Sequence, residues 1–197
     1  QVKFMTIFRT SNSWWRFAIP LGLQLAIILI VPAQSAYTYN FGKPAVLQTL
    51  PVDPYDLLRG YSQTLSYDIS QINNLKQFPG GQDLVEGEIF YVILESNIAT
   101  AKVSPPASKV IKVSKKLPQL TLNQVALKGK FEKYGQVSYG LETYYMPESQ
   151  RNKINQEISN LQSDPQGKRP FVVEIKVDRW GNSVPTSLWV NKHKYSF

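Results

Sequence analysis

The chain has no cysteine and a single histidine among its 197 residues. Without cysteine there is no disulfide, no thiolate nucleophile and no cysteine-bound metal, and the redox state of the compartment leaves no mark. His193 stands in Asn191-Lys192-His193-Lys194, flanked by cations near the C-terminus, the setting of a solvated surface residue. Zinc draws on several nitrogen or sulfur ligands, so one histidine leaves structural or catalytic zinc close to excluded. No cofactor is expected. The sequence also lacks an internal repeat, a low-complexity tract, a long block of like charge, and any acidic residue before Asp53.

The formal charge is +8, from 22 basic and 14 acidic residues. Lys3, Arg9 and Arg16 stand before the main apolar run, which leaves 19 basic against 14 acidic residues, a net of +5, for the remainder. That excess is spread along the chain. Nucleic-acid binding would want a concentrated basic stripe with interleaved aromatics, so no nucleic-acid partner is expected. An apolar content of 43% with 12% aromatics is enough for a packed core.

From Phe17 to Ala36 there is no charged residue, and only Gln24, Gln34 and Ser35 are clearly polar. About 20 such residues cross a hydrocarbon core as a helix. Trp14 and Trp15 precede the run, and Tyr37 and Tyr39 follow it, where aromatic rings favour the headgroup zones. Pro20 falls near the start, where a missing backbone donor costs least. The small residues of Ala33-Gln34-Ser35-Ala36 also suit a signal peptidase, so a cleaved signal competes with a retained anchor. The retained anchor is preferred. With Lys3, Arg9 and Arg16 on its N-terminal side, the positive-inside rule places residues 1–16 in the cytoplasm and the main domain in a periplasmic or lumenal space. The expected organisation is a tail over 1–16, a transmembrane helix over 17–36, a linker and first strand over 37–54, and a β-rich domain over 45–197.

Within the domain, a short strand is expected at Ala45–Leu50, a turn at Asp53-Pro54-Tyr55-Asp56 and a bend at Gly60. Alternation of Leu65, Tyr67 and Ile69 predicts a strand over Thr64–Ser70, and Ile72–Gly87 reads as loop. The unbroken run Ile89–Leu94 predicts a central strand, and the lysine-interleaved Lys109–Ser114 an edge strand. Gln124–Glu132 and Gln136–Met146 follow as strands around Gly135. Ile154, Ile158 and Leu161 give an amphipathic helix over Pro147–Gln162. Phe171–Asp178 and Val184–Val190 form a hairpin around Arg179-Trp180-Gly181-Asn182, with a last strand at Lys194–Phe197. The fold class is thus a single transmembrane helix plus an α+β or mainly-β domain, with seven or eight strands and one amphipathic helix.

The stretch Gly60-Tyr61-Ser62-Gln63-Thr64-Leu65-Ser66-Tyr67 resembles the signature of the bacterial family named for its GDYXXLXY motif. Gly60, Leu65 and Tyr67 match it. Tyr61 stands where the family has aspartate, and Ser62 where it has tyrosine. Similarity continues through Phe90–Glu95, Leu127-Lys128-Gly129, Tyr139–Glu148 and Val173–Asp178 with Gly181. The resemblance implies an N-terminal anchor and little about chemistry, and the missing aspartate argues against a catalytic motif. Gly60, Tyr61, Leu65, Tyr67, Tyr144 and Tyr145 are therefore read as structural or interaction residues. Trp14, Trp15, Arg16 and Tyr37 are read as membrane-interface residues.

Enzymatic sets are weak. A signal-peptidase-like Ser–Lys dyad would need Ser62 or Ser66 beside a buried lysine, and Lys128 is only a nominal base. Glu86/Glu88 and Asp53/Asp56 are spaced as turn and strand-end residues, and Gly80-Gly81 lacks a phosphate-loop lysine. A sugar or lipid site on Tyr144, Tyr145, Trp180 and Trp189 competes with their use in a core. The sequence therefore predicts a non-catalytic subunit or assembly factor of a larger bacterial membrane complex, in a plasma or thylakoid-type membrane. Its expected partners are the lipid bilayer and other integral membrane subunits, and a photosynthetic membrane would be one host. The alternative is an extracytoplasmic ligand-binding or sensing module, although the short tail offers it little to signal with.

Overall fold

The computed structural model describes residues 14–49, 62–64, 66–96, 104–145, 171–190 and 193–196, with 62–64 and 143–145 described by backbone alone. The chain divides into two compact units, one ending at Ala36 and the next beginning at Tyr37.

Helix α1 spans Trp15–Phe41. At 1.5 Å per residue it is about 40 Å long, more than a hydrocarbon core requires. It is the one described helix long and apolar enough to cross a membrane. Its large apolar side chains from Phe17 to Val31 are all exposed. The helix outruns the expected 17–36 at both ends, because Tyr37–Phe41, expected as linker, completes a further turn. That start also moves Pro20 beyond the first turn. Pro20 and Pro32 both lie inside the helix, so the carbonyls of Arg16 and Ile28 lose their i+4 donors.

The helix stops at Gly42, whose amide bonds the Thr38 carbonyl at 2.8 Å. A Cβ at Gly42 would lie 2.4 Å from that same carbonyl and 3.0 Å from Cβ of Lys176. Only glycine lets the chain turn here into strand β1 (Lys43–Gln48).

The second unit is built from two antiparallel four-stranded sheets, eight strands in all, with a small ribbon beside them. The first sheet places β1 next to β8 (Phe171–Val177), then β9 (Ser183–Val190) and β10 (His193–Ser196). The second runs β4 (Lys109–Ser114), β3 (Ile89–Glu95), β5 (Gln124–Phe131), β6 (Val137–Ser138). The ribbon pairs β2 (Ser62–Thr64) with β7 (Thr143–Tyr145). As the sequence suggested, Ile89–Leu94 is an inner strand and the lysine-rich Lys109–Ser114 lies at an edge. The hairpin around residues 179–182 and the last strand also form.

Period-two alternation sends Ala45, Leu47, Val173, Ile175, Val177, Leu188 and Val190 into the same core as Phe90, Val92, Leu94, Val125 and Leu127. The first sheet's opposite face carries a satellite of Val46, Val172 and Trp189. Burying one such side chain contributes about 1.5–3 kcal/mol.

Three expectations need correction. The strand over Thr64–Ser70 ends early: Tyr67 makes one bridge to Thr49, and Asp68–Ser70 then coils into a 3₁₀ turn. Tyr67 and Ile69 are nonetheless buried, because the turn folds inward. The loop over Ile72–Gly87 opens with a short helix, α2 (Ile72–Leu75), burying Ile72 and Leu75. The strand over Gln136–Met146 breaks into β6 and β7, since Gly140 has φ of +74°, outside any strand conformation. The expected helix at Pro147–Gln162 lies outside the described residues.

Candidate functional site

Two constructions hold the sequence-selected residues. The first surrounds the family-like motif. Gly60, Tyr61 and Leu65 fall outside the described residues, and Tyr144 and Tyr145 are placed by backbone pairing with Gln63 and Ser62. Tyr67 is fully buried, and its hydroxyl donates to the Leu141 carbonyl at 2.9 Å. Tyr139 returns the bond, its hydroxyl donating to the Ile69 carbonyl at 2.7 Å. Each tyrosine thus ties its own segment to the segment carrying the other. Burial, followed by the Glu142 charge, pushes both hydroxyls well above the ordinary tyrosine range, so neither is a general base at neutral pH. Glu142 accepts the Tyr139 amide, and the Ser70 hydroxyl accepts that of Tyr67. Tyr67 is a latch. Gly129 completes the arrangement, because a Cβ there would come 2.8 Å from the Tyr139 ring.

The second construction joins the end of α1 to the β8–β9 turn. Asp178 follows β8 and is only 6% exposed. Its Oδ1 accepts the amides of Trp180 and Asn182, each at 2.9 Å. Its Oδ2 accepts the Asn182 side-chain amide at 2.9 Å and the Thr38 hydroxyl at 3.1 Å. A buried carboxylate is tolerated when donors of this kind replace water. Thr38 is the one buried residue of α1. Beside it, Lys176 Nζ donates to the Tyr39 carbonyl at 2.6 Å and lies over the Tyr39 ring. A cation at a helix C-terminus meets the negative end of the dipole.

The turn closes on glycine. Gly181 has φ of +89°, and its carbonyl accepts the Lys128 amide on the edge of β5 that short β6 leaves open. A Cβ there would meet the Ala126 carbonyl at 2.9 Å. Gly181→Ala is expected to cost about 2–3 kcal/mol through strained φ and this clash. Urea unfolding of the full chain in micelles checks it; a change below about 0.5 kcal/mol would contradict the geometry.

Around this joint the exposed aromatics gather. Tyr37 packs with tilted rings against Phe41 at 5.1 Å and against Trp180 at 5.5 Å between centroids, and the Arg179 guanidinium lies 4.1 Å over the Trp180 ring. At the other end of α1, Trp14 and Trp15 stack on each other at 4.9 Å, and Arg16 is exposed.

The remaining candidates do not converge. Trp189 is buried and donates to Glu174, while Trp180 stacks at the joint, so the two do not share a site. Burial alone would raise the Glu174 carboxyl, but donors on Lys194, Ser187 and Trp189 outweigh it and hold the group below its ordinary range. Lys128 is exposed on β5, without the burial a Ser–Lys dyad asks of its base. Among the described residues, no three His, Asp or Glu side chains cluster as metal ligands. A groove of about 510 Å³ lies between β1, the Asp68–Leu75 segment and β4, lined in part by Gln48, Gln71, Asn74, Gln77 and Ser108.

The Tyr67–Tyr139 exchange and the Thr38–Asp178 bond were missed at the sequence level. The turn chemistry of Asp178-Arg179-Trp180-Gly181-Asn182 was a usable signal for the second, though its helix partner 140 residues away was not.

Comparison with curated proteins and with solved structures finds no match. The family model described as "GDYXXLXY protein" matches residues 24–188, beginning within α1 and running through β9 to Leu188. By that match the chain belongs to the GDYXXLXY protein family.

Proposed function

We propose that the protein is a non-catalytic, single-span subunit or assembly factor of a larger membrane complex, with its β-domain on the non-cytoplasmic side. The carrying observation is a fully exposed apolar helix whose last turn is built into the domain by Thr38, Tyr39 and Gly42. Pro32 adds support: it removes the i+4 donor of the Ile28 carbonyl within the apolar run. In hydrocarbon such a group is commonly satisfied by a neighbouring helix. Lys3, Arg9 and Arg16 give the orientation by the positive-inside rule. A photoreactive residue placed in turn at positions 25, 28, 29 and 32 in native membranes tests the reading. Adducts to a defined polypeptide from one helix face are expected. Adducts to lipid alone at every position would overturn it.

The second reading, an extracytoplasmic ligand-binding module, rests on the groove beside β1. Its volume suits a small molecule. Two of its amides are already spent, however: Gln48 donates to the Phe171 carbonyl and Asn74 to the Asp68 carbonyl. A ligand that survives purification and is lost in Gln77→Trp would favour this alternative.

A further inference from the structure

We infer that the end of α1 and the β8–β9 turn form a phospholipid-headgroup site on the domain, in which Arg179 holds a lipid phosphate and Trp180 sits at headgroup depth. The inference rests on reading α1 as a membrane span and extends it to the domain surface.

The observations concern six side chains. Tyr37, Tyr39, Phe41 and Trp180 are 37%, 49%, 73% and 45% exposed. Exposed aromatics clustered on a domain form an apolar patch that water disfavours. These four lie within the last turn of the apolar helix or stack directly on it, where the bilayer interface would fall. Amphipathic rings are favoured at that depth. Leu122 is 91% exposed, and its carbonyl accepts Lys43 Nζ at 3.1 Å, two residues beyond the helix end. A fifth exposed apolar side chain thus belongs to a segment tied to the chain just beyond the helix.

Arg179 supplies the charge. Its guanidinium lies over the Trp180 ring, and among the described residues no carboxylate approaches it within ion-pair distance. Asp178 cannot serve, because its two oxygens already accept four donors. The ring contact spends no carboxylate or carbonyl acceptor, and the forked N–H groups of a guanidinium match a phosphate bidentately. The other cation of the joint, Lys176, already donates to the Tyr39 carbonyl. Placing Arg179 and Trp180 on a turn fixed by Asp178 and Gly181 preorganises the pair.

The test uses the full chain labelled with 5-fluorotryptophan in nanodiscs of phosphatidylcholine and phosphatidylglycerol. The four tryptophan resonances are assigned by single Trp→Phe changes. Lipids carrying a headgroup nitroxide should broaden Trp180 several-fold more than buried Trp189. Arg179→Glu should abolish most of that difference while leaving the Trp189 resonance in place as a report on the fold. Trp180 broadened no more than Trp189, or unaffected by Arg179→Glu, would overturn the inference. Trp14 and Trp15 separate it from the underlying reading: their broadening without that of Trp180 sinks the headgroup site alone. Absence of broadening at all three would sink the membrane span as well.

Discussion

Asp178→Ala is expected to lower the stability of the β-domain by about 3–4 kcal/mol. The carboxylate holds four donors in a site that is 6% exposed. Its loss removes the acceptor shared by the Trp180 and Asn182 amides, the Asn182 side chain and the Thr38 hydroxyl, and each hydrogen bond to a charged group contributes about 1.5–3 kcal/mol before relaxation. Asp178→Asn should recover part of this, because Oδ1 keeps its two backbone amides while the new NH₂ group confronts donors. Thr38→Val removes one bond to a charged acceptor and should cost about 1.5–3 kcal/mol. The valine keeps the shape of the threonine, so the loss reports the hydroxyl. Urea unfolding in micelles, followed by near-ultraviolet circular dichroism, ranks the three. An Asp178→Ala protein within about 0.5 kcal/mol of the parent would show that the turn does not depend on the carboxylate.

Tyr67→Phe and Tyr139→Phe together carry the second large effect. Each change orphans a buried carbonyl, that of Leu141 or of Ile69, and should cost about 1–3 kcal/mol. The two bonds tie the same pair of segments, so once one is lost the second has less to hold and the costs should not add. A pH signature separates latch from packing. Both hydroxyls have folded-state pKa values raised above the ordinary value of about 10. Their contribution is therefore complete below about pH 10. Above it the unfolded chain loses protons that the folded chain keeps, and stability falls by about 1.4 kcal/mol per pH unit per tyrosine. The double Phe protein should show that much shallower an alkaline decline. Parallel declines in the two proteins would mean that these hydroxyls titrate alike in both states.

Legibility in the sequence followed the range of the interaction. The apolar run, the inner strand Ile89–Leu94, the lysine-marked edge and the final hairpin are local patterns, and each formed where its pattern lay. The errors arose where a local pattern met a tertiary demand. Leu65, Tyr67 and Ile69 alternate like a strand, but Tyr67 and Ile69 reach the core through a 3₁₀ turn whose Ser70 amide bonds the Tyr67 carbonyl. Tyr37–Phe41 looks polar enough for a linker, yet Thr38 finds a buried acceptor in Asp178 and the helix runs on. The motif tyrosine was legible as important. Its hydroxyl partner, Leu141, lies 74 residues away and leaves no local sign. Trp180 in the expected turn and Trp189 in the expected strand were both candidates for a sugar or lipid site, but Trp189 packs in the satellite cluster and Trp180 stands on the exposed turn. Register across the β8–β9 hairpin sets Trp189 opposite Val172.

A subunit or assembly factor, as proposed above, should be found together with its partners in the membrane. Gentle detergent extraction of native membranes, followed by native gel separation and mass spectrometry, tests it most directly. The 22.4 kDa chain is expected to migrate in a much larger species, accompanied by defined integral membrane polypeptides. Migration as a lone monomer under extraction conditions that preserve other membrane complexes would contradict it.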